Sequence, residues 1–530
     1  MRLLIISLAL FLTITLKVQS QSVYHHVRNN GAYEFVDELA NTGIVDVNSS
    51  VKPYSRMQIS LMLKQANENR EKLNKRQQAD LDFYLKDFGK ELNPTKNFKR
   101  RFDALYFKDS LFTATLNPIG GGISFYNDSA FAYRRWVGAD GWGYVGKNFG
   151  FYASLRDNAE NYRLSSPLFL TQMQGGGYKP SGTGGEFSDM RGGVTWSWKW
   201  GSFGMVKDNI EWGSGYNGTN ILYSRAPSFA MLKLIIKPAR WFELNYIHGW
   251  LVSQVIDSTR SYLYAGAPRN VFHPKYIAAN FLTFTPWRGV NMSFGNSIIY
   301  SDIEIQPAYL TPFFFYKSVD HHLNGMSNYT GQNSQMFVDF SVRKIKNTHL
   351  YLSLFLDELA MKNMFNEEKH SNFFSVKGGF RVSNFPLQNL TVTAEYTRTN
   401  PQVYEHIIET TTFVSNRFNL GHYLRENAQE YYFSLQYRPS KALKFETSYT
   451  LAQKGPVLAN NQTGRLGLKF LETVVWQAEV FEAKALWQII NDGYLTLGAQ
   501  FGNYTGQPTY TPTFLFGKQL TISFGLSYGF

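Results

Sequence analysis

Apolar and polar residues alternate with a period of two along most of the chain, from about residue 102 to its end. The pattern is clearest in the last eleven residues, where small or polar residues separate six apolar ones: Leu520, Ile522, Phe524, Leu526, Tyr528 and Phe530. In a β-strand this spacing places all six apolar side chains on one face. The pattern therefore predicts strands with one apolar face.

These alternating segments are joined in turn by short turns and by longer polar stretches. Short turns are predicted at Pro286–Gly289, Lys344–Asn347 and Asn491–Gly493, and the long stretches are 157–190, 257–275, 317–335, 398–429 and 453–463. Short turns at one end and long loops at the other are typical of outer-membrane β-barrels. The sequence thus predicts an all-β fold, with one large antiparallel transmembrane barrel of about 16–18 strands over residues 101–530.

The final strand resembles the closing strand of bacterial outer-membrane barrels, which ends on an aromatic residue. In that class the terminal aromatic positions form the signal that the barrel-insertion machinery recognises. The resemblance implies that Phe524, Tyr528 and Phe530 are such a signal. It also implies outer-membrane lipid, lipopolysaccharide and the insertion machinery as partners.

The first hundred residues have a different pattern. Residues 1–20 have a basic residue followed by an apolar run, which predicts a signal peptide and export. Together with the barrel pattern, this predicts the outer membrane of a Gram-negative bacterium. Residues 21–100 have apolar residues at helical spacing, with a cap expected at Ser55, a capping box at Asn74 and Gln77, and a stop at Gly43. We predict three helices in a small periplasmic bundle that plugs the barrel or docks on it. The alternative is a loosely attached appendage.

Composition and charge narrow the class further. The chain has no Cys, which excludes disulfides, thiol catalysis and Cys-ligated metals. Only 18% of the residues are charged, 16% are aromatic, and the formal net charge is +13. An exported basic protein is expected to meet acidic polysaccharide or lipopolysaccharide phosphates rather than nucleic acid. The alternative is that the Lys and Arg residues flank the membrane band.

Motifs that would indicate catalysis or a cofactor are weak. Residues 525–529 match G-x-S-x-G but lie inside an alternating strand, whereas a nucleophile elbow needs a strand-to-helix turn. The glycine-rich run 175–185 lacks the Lys-Ser/Thr ending of a phosphate loop. Neighbouring histidines at 25–26 and 321–322 do not share a face, so neither pair can easily chelate a metal. We predict a protein without catalytic activity, metal or cofactor.

The most unusual segment is 187–229, which combines tryptophans with charges of both signs. Trp196, Trp198 and Trp200 share one strand face and are predicted to face lipid. The charged residues are expected to face a wet lumen, because the lipid face would penalise them by several kcal/mol. Aromatic and charged side chains together suit carbohydrate binding, although salt bridges that tie the strands explain them equally well. The candidate ligand-binding residues are Arg191, Lys207, Asp208, Glu211, Trp212 and Arg225.

Three runs in this segment resemble the capsule-assembly Wzi family of outer-membrane proteins. They are Glu211–Gly215, Asn220–Ser224 and Arg225–Phe229, with Phe229–Ala230 where that family commonly has a second proline. The resemblance implies an 18-stranded barrel with a periplasmic helical bundle. It also implies lectin-like binding of exported polysaccharide. The tyrosine-, lysine- and asparagine-rich composition looks like that of a Bacteroidetes-type relative, where such barrels can serve surface or gliding machinery.

The function hypotheses that follow belong to different classes. The first is a non-enzymatic barrel that binds surface polysaccharide through aromatic stacking and hydrogen bonds from long extracellular loops. The second is a porin-like channel, which requires an open lumen. A barrel enzyme would need a catalytic constellation that the sequence does not show. A scaffold for a secretion or motility complex, with other surface proteins as partners, is not distinguished from the first by sequence.

Overall fold

The structure is a computed structural model that describes residues 21–92, 100–164, 179–181, 184–325, 331–357, 373–457 and 468–529. Within these residues, eighteen antiparallel strands form a closed barrel, as predicted. In chain order they are β1 Phe112–Asn127, β2 Ala130–Val145, β3 Phe149–Asn161, β4 Gly184–Trp198, β5 Gly201–Asp208, β6 Phe229–Ala239, β7 Phe242–Leu251, β8 Lys275–Trp287, β9 Val290–Ser301, β10 Asn333–Val342, β11 Thr348–Leu356, β12 Phe374–Ser383, β13 Leu390–Thr399, β14 Ala428–Ser440, β15 Leu443–Lys454, β16 Trp476–Ile490, β17 Gly493–Gly506 and β18 Gly517–Tyr528.

The barrel closes between its first and last strands. β18 pairs with β1 in a register that places Ile522 opposite Tyr126 and Tyr528 opposite Gly120. The apolar residues of β18 point outward, with Ile522, Phe524 and Leu526 between 47% and 57% exposed. An outward apolar face is what a membrane-spanning barrel presents to lipid. Phe530 and the predicted signal peptide 1–20 lie outside the described residues.

Tryptophans of the unusual segment also lie on the outer face, which confirms their predicted orientation. Trp196 is 48% exposed and Trp200 is 49% exposed, and the neighbouring rings of this run pack against each other. They lie where β4 turns into β5, at one rim of the barrel. Aromatic residues at the rim form the girdles of membrane barrels.

The two ends of the barrel differ in the length of their connections. At one end, the short-turn end, neighbouring strands are joined by a few residues, as at 146–148, 288–289 and 491–492. At the other end, the long-loop end, the connections include 209–228 and 252–274. This asymmetry agrees with the predicted alternation of turns and loops.

Three helices precede the barrel: α1 Asn30–Asn41, α2 Arg56–Glu68 and α3 Lys75–Phe88. Ser55 caps α2 by accepting a hydrogen bond from the Gln58 backbone N–H, and Asn74 and Gln77 form the predicted capping box of α3. Gly43 follows α1 with a φ of 76°, the left-handed conformation expected of a helix stop. Among the described residues, no helix is long and apolar enough to cross a membrane.

The helical bundle docks on the short-turn end of the barrel. Asp37 of α1 pairs with Arg343 at the end of β10, with 2.6 Å between Oδ1 and Nη2. At the same end, Asn384 donates to Glu38 Oε1 over 2.6 Å. Arg101 joins the barrel turn at Asp492 over 2.8 Å. These contacts exclude the loosely attached appendage.

A fourth helix, α4 Tyr316–Asn324, lies in the stretch that the sequence predicted as a polar loop. Tyr316 of this helix and Tyr309, which precedes the helix, are both buried in a cluster with Ile298 and Tyr300 of β9. These β9 side chains share the outward face of Phe294, so this segment covers the outside of the wall. It also satisfies the outward amide of Asn280, which donates to the Phe314 carbonyl.

Candidate functional site

The connection between β5 and β6, residues 209–228, folds back into the lumen and is called the inward loop. Glu211 and Trp212 form an antiparallel two-residue ladder with Lys52 and Val51 of the N-terminal segment. Trp212 also exchanges two backbone hydrogen bonds with Leu222, which closes the loop on itself. The helical bundle enters from the short-turn end and the inward loop from the long-loop end, so the two insertions meet inside the barrel.

Buried charges of the wall hold the inward loop in place. Asp339 of β10 accepts from the Ser214 backbone N–H over 2.7 Å and from its hydroxyl over 2.9 Å. Glu395 of β13 accepts from the backbone N–H groups of Tyr216 and Asn217, over 2.6 and 2.9 Å. Hydrogen bonds to ionised groups are about twice as strong as neutral ones, so these contacts fix the loop against the wall.

Trp212 forms the apolar centre of this plug. Its side chain is 1% exposed and stacks on Phe281 of β8, with ring centroids 5.4 Å apart and planes 13° from parallel. Phe337 of β10 contacts the same ring edge-on at 6.2 Å. The structure thus places Trp212 in the packed core of the lumen, where it supports the loop.

Arg191 and Asp208 lie together in the wall, as the sequence suggested, and both are buried. Arg191 Nη1 lies 3.4 Å from Asp208 Oδ1, and its Nη2 donates to the Tyr24 carbonyl over 3.0 Å. Tyr152 donates its hydroxyl proton to the same carboxylate over 2.7 Å. This pair ties β4, β5 and the N-terminal segment, which is the salt-bridge alternative considered from the sequence.

The expectation that Lys207 faces the lumen is wrong. Lys207 has the same parity in β5 as Phe203 and Met205, which are exposed on the outer face. Its amino group donates to the Met190 carbonyl over 2.7 Å and to Ser228 Oγ over 2.5 Å near the long-loop end. The strand's period of two separates Lys207 from its neighbour Asp208, which the sequence argument had placed in one cluster.

Beside the plug lies a cavity of about 580 Å³, called the lumen cavity. Glu211 and Arg225, two of the candidate residues, line it. Eight cationic side chains and five carboxylates surround it; the cations are Arg28, Lys52, Arg134, Arg156, Arg225, Arg381, Lys444 and Lys484, and the carboxylates are Glu34, Asp37, Asp189, Glu211 and Glu446.

Glu211 and Arg225 meet the cavity in different ways. Glu211 lies 3.3 Å from Lys52 Nζ and accepts from the Ser224 hydroxyl over 2.5 Å. Arg225 lies over the ring of Phe418, 5.0 Å from its centroid, and is 7% exposed. Both residues belong to the inward loop, so the element that fills the lumen also supplies polar groups to its remaining space.

Helix α1 contributes acidic groups to the cavity wall. Burial alone would raise the pKa of Glu34, but Lys444, with Arg438 and Arg381 farther away, holds this pKa below its usual value. The Lys444 amino group lies 3.1 and 3.2 Å from the two carboxylate oxygens of Glu34. Glu34 is therefore ionised, and the cavity keeps an excess of positive over negative side chains.

The tyrosines Tyr216, Tyr223 and Tyr432 also line the lumen cavity. Its volume lies within the usual range of about 300–1,000 Å³ for small-ligand sites. Guanidinium groups and tyrosine hydroxyls together suit a ligand that carries hydroxyls and negative charge.

Comparison with solved structures identifies the fold. Escherichia coli Wzi, described as an outer-membrane protein involved in group 1 capsule assembly and as a carbohydrate-binding β-barrel, aligns with a TM-score of 0.59. The alignment covers 96% of this chain and 100% of Wzi, at 12% sequence identity. The chain has a Wzi-like fold. At this identity the likeness is one of fold alone.

Outer-membrane proteins of Pseudomonas aeruginosa align less well. OpdK gives a TM-score of 0.44 at 10% identity, covering 80% of this chain and 99% of that one. OccK3 gives 0.43 at 8% identity, covering 78% and 95%. These scores are too low to establish a shared fold. No protein-family model matches the sequence, and no curated protein matches it at a significant level.

Most residues of the lumen cavity were not among those predicted from the sequence. Arg28 precedes α1 and pairs with Asp189 of β4 over 2.7 Å, while Arg134 of β2 pairs with Glu160 of β3 over 2.5 Å. These residues are far apart in the sequence and have no common motif. For the strand residues, the alternation of odd and even positions could have predicted them. Charged residues on the face opposite the apolar ones must point into the lumen.

Proposed function

We propose that this protein is a Wzi-type outer-membrane barrel that binds or retains surface polysaccharide and has no catalytic role. It acts in capsule or exopolysaccharide assembly in a Gram-negative bacterium, with its helical bundle in the periplasm. The single observation that carries the proposal is the lumen cavity, a polar space inside the barrel that tyrosines line and in which cationic side chains outnumber carboxylates.

The filled lumen supports a binding role over passive diffusion. In the lumen, the ladder between residues 51–52 and 211–212 joins the helical bundle to the inward loop. Trp212 is buried against Phe281, and the loop is bonded to Asp339 and Glu395 of the wall. A solute would have to displace these contacts to diffuse through the centre of the barrel.

The charges of the lumen cavity support an acidic glycan as the ligand. Arg225 and Lys484 present cationic groups there, and Tyr223 and Tyr432 line the same cavity. Carboxylates of uronic acids accept charge-assisted hydrogen bonds from guanidinium groups, and sugar rings stack on aromatic faces. An acidic sugar unit of the polymer is the ligand that uses both.

A hairpin at the long-loop end offers a second contact surface. Tyr262–Tyr264 pairs with Ala267–Arg269, and Tyr262 lies opposite Arg269. Tyr262 and Tyr264 have the same parity and are 57% and 71% exposed. Two exposed aromatic rings on one face, with a cation beside them, form a platform on which sugar rings stack.

Binding of the purified barrel to the host's own acidic polysaccharide tests the proposal, with neutral dextran as the comparison polymer. We expect saturable binding to the acidic polymer that weakens as salt rises, because salt screens the attraction between the cationic cavity and the polymer. Arg225→Gln should weaken it about tenfold, the effect of losing about 1.4 kcal/mol of a charged hydrogen bond.

Two further variants separate the contacts. Arg288→Gln removes an exposed cation at the short-turn end and serves as the matched control, with unchanged affinity expected. Tyr262→Ser combined with Tyr264→Ser tests the hairpin platform. The proposal is wrong if folded wild-type protein does not bind the acidic polymer, or binds dextran equally well.

A further inference from the structure

A second cavity, of about 300 Å³, lies at the short-turn end between the helical bundle and the wall formed by β14 to β18. It is called the rim cavity. Arg101, Arg438, Lys441, Asp492 and Ser527 are among its lining residues. Asp492 belongs to the short turn between β16 and β17, so the rim cavity reaches the edge of the barrel.

The rim cavity and the lumen cavity share four lining residues: Arg28, Asn30, Glu34 and Lys444. The shared residues form the partition between the two spaces. Its centre is the ion pair that joins Glu34 of α1 to Lys444 of β15, with side chains 22% and 19% exposed. Lys444 Nζ also lies 3.3 Å from Glu446 Oε2 on the lumen side. One ion pair between a docked helix and the wall thus separates two polar spaces.

Buried N–H groups along these spaces have no partner among the described residues. They are Arg28 Nη2 in the partition and Arg101 Nε and Arg438 Nε at the rim cavity. Buried polar groups without a protein partner are normally satisfied by water or an ion. These three donors require water or another acceptor. The space along the partition is therefore expected to be hydrated.

We propose that the two cavities form one polar passage, which leads from the short-turn rim to the lumen cavity. The Glu34–Lys444 ion pair closes this passage, and small anionic solutes enter it when the pair separates. The charges carry the selectivity. Five cations and four carboxylates line the rim cavity, and eight cations and five carboxylates line the lumen cavity. Cations outnumber carboxylates in both linings, and they still do in the lumen cavity when Glu160 and Glu482, the partners of Arg134 and Lys484, are counted. A positive lining concentrates anions. The passage does not depend on the proposed polysaccharide binding.

Chemical labelling can test the passage, because the chain has no cysteine. Ser434 is 2% exposed and lines the lumen cavity, so Ser434→Cys places a thiol of nearly the same size beyond the partition. Ser527→Cys places a matched thiol in the rim cavity, before the partition. The probes are an anionic and a cationic methanethiosulfonate of similar size, applied to the purified barrel in detergent.

A second set of proteins also carries Glu34→Gln and Lys444→Gln, which remove the ion pair and so open the partition; this is called the opened background. We expect the anionic reagent to modify the Ser434→Cys thiol about fivefold faster there, the change that about 1 kcal/mol of lost ion-pair energy gives. The anionic reagent should react faster than the cationic one at this position. The Ser527→Cys thiol should react at the same rate in both backgrounds.

Lys444→Arg keeps the ion pair and should leave the rate at Ser434→Cys low, while heat-modifiable gel mobility shows that each variant is folded. Two results would overturn the passage: no modification of Ser434→Cys in the opened background, or an equal rate in both backgrounds. If polysaccharide binding is absent but the labelling pattern is as expected, the proposed function is wrong and the passage stands.

Discussion

Two parts of the lumen contain similar charged residues and use them differently. In the filled part, Asp339, Lys377 and Glu395 of the wall are buried and bonded to the inward loop or to each other. In the open part, Arg225 and Lys484 border the lumen cavity; Arg225 lies over the ring of Phe418, and Lys484 pairs with Glu482 over 2.6 Å. Buried charges need partners, and in the filled part the loop backbone supplies them. The type of a charged residue therefore does not show whether it supports the structure or borders the cavity. The element packed against it does.

The comparison separates the six candidate residues into classes. Arg191, Asp208 and Trp212 belong to the filled part and hold the structure together. Glu211 and Arg225 border the open part, and Lys207 lies on the outer face. Ligand binding is therefore expected to depend on Arg225 and Glu211 more than on the other four, which remains a proposal.

The largest effect is expected from Trp212→Ala. Removing a buried tryptophan leaves a cavity and costs about 3–5 kcal/mol. Because Trp212 anchors the inward loop on Phe281, we expect a lower free energy of unfolding and a larger single-channel conductance as the plug loosens. Trp200→Ala on the outer face is the control and should leave the conductance unchanged. Unchanged stability and conductance in Trp212→Ala would show that the loop does not depend on this ring.

The next largest effect is expected where the bundle meets the barrel. Asp37→Asn breaks a buried pair with Arg343, and breaking such pairs costs about 3–5 kcal/mol. We expect protease to cleave the helical segment faster in this variant. Asp46→Asn is the control. It breaks the pair between Asp46 and Arg288, whose two side chains are 55% and 57% exposed, respectively, and exposed pairs contribute only about 0–1 kcal/mol. Equal protection of the two variants would contradict docking through Asp37.

A pH effect of intermediate size is expected from His25, which packs against Phe88 in the bundle. Burial first, and then nearby Arg56, lowers the pKa of His25 to about 3. The unfolded chain, with a pKa of about 6.5, binds the proton more readily, so stability falls as pH falls below that value. Between pH 7 and pH 5 this loss is about 2 kcal/mol.

His25→Gln removes this titration. Its free energy of unfolding, measured by denaturant at pH 7 and pH 5, should depend less on pH than that of the wild type. The effect should appear in the bundle, as followed by helical circular dichroism or proteolysis. An identical pH dependence in both proteins would show that His25 does not titrate as the structure indicates.

Local sequence signals were sufficient for much of the fold. The caps at Ser55 and Asn74 and the stop at Gly43 depend on neighbours within a few residues, so they could be predicted. The strands could be predicted because their period of two is set by the outer apolar face and the polar lumen. The segment around α4 was missed because its apolar side chains pack on the outside of β9, a contact that has no local signature.

The candidate site was only partly predictable for a different reason. Glu211 and Arg225 were selected from one unusual segment, but Arg28, Arg381 and Lys444 meet them across the lumen from distant parts of the chain. Only barrel closure and the inward fold of residues 209–228 bring these groups together. The wrong placement of Lys207 arose because composition was weighed without the strand's parity.

The most direct test of the account compares the two parts of the lumen in one binding experiment with the acidic polysaccharide. The double variant Arg225→Gln, Lys484→Gln changes the open part, and Lys377→Gln changes the filled part. The account predicts that the double variant still folds and loses about a hundredfold in affinity. It predicts that Lys377→Gln loses stability and keeps its affinity. Unchanged affinity in the folded double variant would contradict the central claim that the lumen cavity is the binding site.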